Sequence, residues 1–113
     1  MPNFIIEFSD TLSQQIDPKI LMDKVFIGAK NCGYFSPEAI KLRTQSRAGF
    51  RLYGKQQDFL HISGHILSGR TDEQKTEISH AIIGQLKDLG LKSVFVSVEV
   101  VDMHRPSFVD FEY

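Results

Sequence analysis

FLHISGHIL (59–67), SGRTDEQKTEISHAIIGQLKDLG (68–90) and LKSVFVSVEVV (91–101) form one continuous stretch that reads as strand, helix and strand. In the first segment Leu60, Ile62 and Ile66 fall on one face, and Phe59, His61, Ser63 and His65 on the other. That period of two is the mark of a half-buried strand. Thr71 and Gln74 have the spacing of a capping box that opens a helix. Ile78, Ile82, Leu86 and Leu89 then recur at helical spacing with Ala81 beside them, and Gly90 supplies the stop. Val94 to Val101 is strongly β-prone, with Val94, Val96, Val98 and Val100 on a single face.

The same order of elements lies upstream. Phe4 to Phe8 alternates as a strand, with Phe4, Ile6 and Phe8 opposite Ile5, Glu7 and Ser9. Asp17-Pro18 is an N-cap followed by a residue already set for the first helical turn. Ile20, Leu21, Val25, Phe26 and Ala29 give a helix over roughly 18–32, with Gly33 as its stop. Ile40 to Gln45 alternates again, and a turn around Ser46–Gly49 with a return through Phe50, Leu52 and Tyr53 predicts a polar hairpin. Asp17 and Thr71 are 54 apart, Gly33 and Gly90 57, and Ile40 and Val94 54. Identity between the halves is poor, so the elements repeat rather than the residues.

Two β-α-β units predict an α+β fold, a four-stranded sheet with both helices on one face. The 113 residues form a single domain, with pseudo-repeat halves at about 2–54 and 58–103 and a C-terminal tail at 104–113. The uncovered sheet face carries Ile5, Phe59, Leu67, Phe95 and Val101, which predicts a partner subunit. Phe108, Phe111 and Tyr113 make the tail too apolar for free solvent, so it is expected against its own sheet edge or a neighbour.

A formal charge of −1 argues against a general nucleic-acid binder, which needs a basic stripe. No apolar run is long enough for a membrane span, and Met1–Phe8 lacks the pattern of a secretory leader, so a cytoplasmic protein is expected. Cys32 is the single cysteine and stands at a helix C-terminus, where the dipole disfavours a thiolate. His61 and His65, four apart on a strand, are separated by roughly 13 Å and cannot share one ion without a bend. With His80 on a helix flank and His104 in a loop, neither a metal nor another cofactor is expected.

Chemistry can still reside in the first residues and the cations. A small residue at position 2 favours removal of the initiator Met, which would leave Pro2 as a free secondary amine at the tip of the first strand. Burial beside cations disfavours its ammonium form and makes a base near neutral pH. Alternatively, Pro2 merely begins an edge strand, where a missing N–H does no harm. Arg70 directly precedes the Thr71 cap, and a cation beside a helix N-terminus suits a carboxylate. Lys41 and Arg43 share one strand face, with Arg47 and Arg51 following; each also fits a solvated surface charge.

Met-Pro-Asn-Phe-Ile-Ile-Glu-Phe-Ser-Asp (1–10) closely resembles the opening of the 5-carboxymethyl-2-hydroxymuconate delta-isomerase family of the tautomerase superfamily. Gly33-Tyr34-Phe35, Ile40-Lys41-Leu42-Arg43, Phe59-Leu60-His61-Ile62 and Ser68-Gly69-Arg70-Thr71 are similar to that family's segments in the same order, and the likeness weakens after Met103. The resemblance implies a homotrimer of β-α-β repeats, no metal or organic cofactor, and Pro2 as acid/base catalyst after Met1 removal. It further implies Arg70 as a ligand for a substrate carboxylate and Arg43 as a second arginine at the site. Where the family pattern has arginine at both positions, this chain has Lys41, a point charge rather than a planar fork. The implied reaction is allylic ketonisation of a small dicarboxylate or tricarboxylate dienol in the breakdown of homoprotocatechuate. Another proline-dependent tautomerase, or a non-catalytic small-molecule-binding trimeric module, are the alternatives.

Overall fold

In a computed structural model that describes residues 1–113, the alternating segments become four strands and the 3.6-period segments two helices. In chain order these are β1 (Asn3–Ser9), α1 (Pro18–Asn31), β2 (Lys41–Arg47), β3 (Asp58–Leu67), α2 (Asp72–Leu86) and β4 (Val94–Met103). The sheet order is β2-β1-β3-β4. Within each half the two strands are parallel, as a helical crossover requires, and the halves join through antiparallel pairing of β1 with β3. The α+β fold read from the two repeats is the observed one.

The predicted caps are formed. The Asp17 carboxylate accepts from the Lys19 N–H at 2.9 Å, with Pro18 in the first turn. In α2, Thr71 Oγ1 accepts from the Gln74 N–H at 3.1 Å while Gln74 Oε1 accepts from the Thr71 N–H at 3.0 Å. Gly33 and Gly90 follow the helices with φ of +84° and +69°, a left-handed conformation that a side chain would strain.

Phe4, Ile6 and Phe8 of β1, with Leu60, Ile62 and Ile66 of β3, are buried beneath Leu21, Val25 and Ala29 of α1 and Ile78, Ile82 and Leu86 of α2. Val94, Val96, Val98 and Val100 pack at the edge of this cluster, as their shared face predicts. The helices meet closely at Gly28, where a Cβ would stand 2.8 Å from the Ala81 carbonyl oxygen and 2.9 Å from Ile82 Cα. Farther along, the Tyr34 hydroxyl donates to the Glu77 carboxylate, so the C-terminal end of α1 lies against the N-terminal half of α2. Where the two halves adjoin, the buried Asp58 carboxylate accepts from the Ser9 hydroxyl at 2.7 Å and from the Thr11 hydroxyl.

One local expectation is corrected and a second is narrowed. The return strand of the hairpin does not form: β2 pairs only with β1, and residues 48–57 carry no strand. Phe50 alone finds an aromatic partner, with its ring centroid 5.7 Å from that of Phe59, while Tyr53 stands exposed, so no apolar row holds a return strand in place. Of the two places expected for the tail, its own sheet edge does not receive the last residues, although Phe108 is half-buried, and the neighbour remains. After a short 3-10 turn at Arg105–Ser107, Val109, Phe111 and Tyr113 are exposed, and Phe111 and Tyr113 touch only edge to face.

Because the atoms facing Gly28 are backbone, neither helix can yield by turning a side chain. G28A is expected to destabilise the fold by about 1–3 kcal/mol, read as a lower denaturation midpoint at unchanged slope. The Tyr34 phenol pKa is raised, first by the hydrogen bond to Glu77, then by desolvation and by the Glu77 charge. A raised folded-state pKa stabilises fully below the ordinary value of 10.0 and stops doing so as pH rises through the folded value. The stability difference between wild type and Y34F is therefore expected to hold at neutral pH and to shrink above pH 10, measured by urea titration at several pH values.

Candidate active site

The closeness of the helices sets the loop that follows α1 against the turn that follows β3, and a cavity of about 520 Å³ opens between them. Tyr34, Phe35, Ser36 and Ala39 line it from the first loop, and Ile66 to Arg70 line it from the end of β3. Gln74 contributes from α2, Arg105 from beyond β4, and Met1 from the chain's start. Met1 reaches this place because β1 and β3 are antiparallel: Asn3 pairs with His65, so the start of β1 lies beside the end of β3.

Arg70 is half-buried in the wall. Its Nη2 donates to the Tyr34 carbonyl at 2.8 Å, and its guanidinium carbon lies 4.8 Å from the Tyr34 ring centroid and 5.4 Å from that of Phe35. Two aromatic faces and a carbonyl hold the cation in position. Gly69, with φ of +124°, makes the turn that aims Arg70 in this direction. The Thr71 and Gln74 N–H groups are consumed within the capping box, so Arg70 presents donors as a side chain rather than sharing an anion with them.

Pro2 is fully buried, and its carbonyl accepts from the Lys41 N–H at 3.0 Å, which ties the start of β1 to the start of β2. Met1 covers it. The Met1 amino group donates to the Ala39 carbonyl at 3.3 Å, and the Asn3 side-chain amide donates to Met1 Sδ at 3.2 Å. With Met1 in place, the Pro2 nitrogen is an amide without basicity.

The sequence-selected cations separate into two groups. Arg70 lines the cavity, whereas Lys41 and Arg43 are exposed on edge strand β2 and do not line it within one chain. Lys41 Nζ donates to the Ala39 carbonyl at 3.3 Å, at the cavity's margin. Arg43 Nη2 donates to Asn3 Oδ1 at 3.0 Å on the open sheet face. His61, on that same face, contacts Ser97 Oγ at 2.6 Å through Nδ1 and Glu99 at 2.5 Å through Nε2. No group of three or more His, Cys, Asp or Glu side chains is arranged to hold a metal ion, and no helix is long and apolar enough to cross a membrane.

Arg105 is the lining cation that sequence reading missed. Its Nε donates to the Ser68 carbonyl at 2.9 Å. It follows β4 in a stretch without periodicity, and only the register of β4 beside β3, with Met103 opposite Leu67, returns it to the cavity.

Comparison with known proteins gives this geometry a family. The description of 5-carboxymethyl-2-hydroxymuconate isomerase matches residues 2–101. No curated protein matches in sequence. Among solved structures, a 5-carboxymethyl-2-hydroxymuconate isomerase from Deinococcus radiodurans R1 superposes with a TM-score of 0.80 at 19% identity, over 99% of this chain and 90% of that one. A 5-carboxymethyl-2-hydroxymuconate delta-isomerase gives a TM-score of 0.86 at 11% identity, over 99% and 89%. A fused 4-OT protein solved as a symmetric trimer gives 0.71 at 16%, over 89% and 86%. These likenesses show the same fold, and the match over residues 2–101 shows that the chain belongs to the 5-carboxymethyl-2-hydroxymuconate isomerase family.

Proposed function

We propose that the protein is a cofactor-independent isomerase that ketonises a 2-hydroxydienoate bearing two or three carboxylates, with Pro2 as its base once Met1 is removed. The observation that carries this reading is that Pro2 is fully buried and bonded to Met1, which lines a cavity that also holds Arg70 and Arg105. Loss of Met1 would turn the Pro2 amide into a secondary amine facing that cavity. Burial and the neighbouring guanidinium groups disfavour the ammonium form, so the amine would be free to accept a proton near neutral pH.

Neutral Pro2 nitrogen would take the proton from the substrate's 2-hydroxyl group. As the carbonyl forms there, the conjugated double bonds shift by one position, and Pro2 returns the proton to the distal carbon. Nothing is oxidised, reduced or released. Arg70, already fixed by Tyr34 and Phe35, would hold a substrate carboxylate and offset the negative charge that develops on the oxygen. The 5-carboxymethyl-2-hydroxymuconate of homoprotocatechuate breakdown has this chemistry and is the proposed substrate.

A trimer completes this reading. The open sheet face carries Phe95, 58% exposed, among half-buried Ile5, Phe59, Leu67 and Val101. Such a face favours association. Lys41 and Arg43, exposed on β2, would then be free to reach a neighbour's cavity, where they could serve as the further carboxylate ligands.

The intact mass of protein purified from its native host is expected to lack Met1, and P2A is expected to lower kcat for 5-carboxymethyl-2-hydroxymuconate roughly 100- to 10,000-fold. Full retention of Met1 in an active enzyme, or near wild-type turnover by P2A, would remove Pro2 from the mechanism. F95D is expected to convert a trimer to monomer in analytical ultracentrifugation while keeping the helical circular dichroism. A wild-type protein that sediments as a monomer would overturn the assembly.

A further inference from the structure

Arg105 and Arg70 share one cavity, and neither is within ion-pair distance of any carboxylate in the chain. No Asp or Glu lines that cavity. Outside the cavity, Arg47 pairs with Glu7 at 2.7 Å and Lys75 with Asp102 at 3.0 Å. Two guanidinium groups around a pocket without an acid favour an anion with charge at more than one point.

The two arginines are held in different ways. Arg70 uses Nη2 on the Tyr34 carbonyl and its flat face on two rings. Arg105 is anchored through Nε to the Ser68 carbonyl, which leaves Nη1 and Nη2 without a protein acceptor. That pair of nitrogens is one bidentate edge for a carboxylate. Arg105 Nη2 lies 3.6 Å from where a Cβ would stand on Gly69, which places the guanidinium in contact range of the turn that carries Arg70. Arg105 also lies beyond residues 2–101, the stretch matched by the family description.

We propose that Arg105 is a specificity-determining residue that binds a second carboxylate of the ligand, apart from the one held by Arg70, and so selects dicarboxylates over monocarboxylates. This rests on the proposed ketonisation for its substrate class but not for its binding selectivity, so the two can fail separately. A merely structural Arg105, serving only to close the turn at Ser68, would affect all ligands alike.

The test compares wild type, R105A and R105K on two enols, the dicarboxylate 2-hydroxymuconate and the monocarboxylate phenylenolpyruvate. In parallel, calorimetry measures binding of the unreactive pair adipate and hexanoate. R105A is expected to lower kcat/KM for 2-hydroxymuconate about ten- to hundredfold more than for phenylenolpyruvate, chiefly through KM, with partial recovery in R105K. The preference of wild type for adipate over hexanoate is expected to collapse in R105A. Equal losses on both members of each pair, or an unchanged adipate preference, would overturn the role of Arg105. Wild type that binds adipate through Arg105 yet turns over neither enol would instead overturn the ketonisation and leave the selectivity standing.

Discussion

The contact on which the rest of this molecule depends is the approach of α1 to α2 at Gly28, where a Cβ would meet the Ala81 carbonyl at 2.8 Å. Backbone against backbone leaves no side chain between the helices to adjust their separation. Both helices therefore lie side by side over Phe4, Ile6, Leu60 and Ile62, and the end of α1 is brought to the early turns of α2. The Tyr34–Glu77 hydrogen bond and the Arg70 stack on Tyr34 and Phe35 follow from that placement. The cavity is thus a consequence of helix packing at one end of the sheet.

Charge is distributed in two ways in this small domain. On the open sheet face Arg47 meets Glu7 and Arg43 meets the Asn3 side chain, and on the flank of α2 Lys75 meets Asp102. In the cavity, Arg70 and Arg105 are positioned by carbonyl oxygens and, for Arg70, by aromatic rings. A carbonyl fixes a guanidinium without neutralising it, so the positive potential remains available to a ligand. A net charge of −1 for the whole chain conceals this local surplus.

Elements with strong local signals are legible in the sequence alone. Asp17-Pro18 and Thr71 with Gln74 fix helix starts by hydrogen bonds that span two or three residues, and the alternation in 4–8 and 59–67 fixes strand faces. The hairpin after β2 failed because Phe50 and Tyr53 resemble a strand only when their partners are ignored; a strand requires a neighbour, and Phe59 meets Phe50 alone. At the site, Arg70 was found because Gly69 and the Thr71 cap flank it. Arg105 was missed because residues 104–107 have no period and no cap that would mark a position of function.

The sequence by itself determined two β-α-β units, the starts of both helices, and which face of each strand is apolar, because these depend on periodicity and on contacts only a few residues long. It also marked Pro2 and Arg70 as candidates through the residue types beside them. Only the tertiary structure decided that Lys41 and Arg43 lie on the open face of β2 while Arg70 and Arg105 share a cavity with Met1. The physical reason is register. The antiparallel pairing of β1 with β3 and the parallel pairing of β3 with β4 bring the chain's first residues, its middle turn and residue 105 to one end of the sheet. No local pattern records those distant pairings.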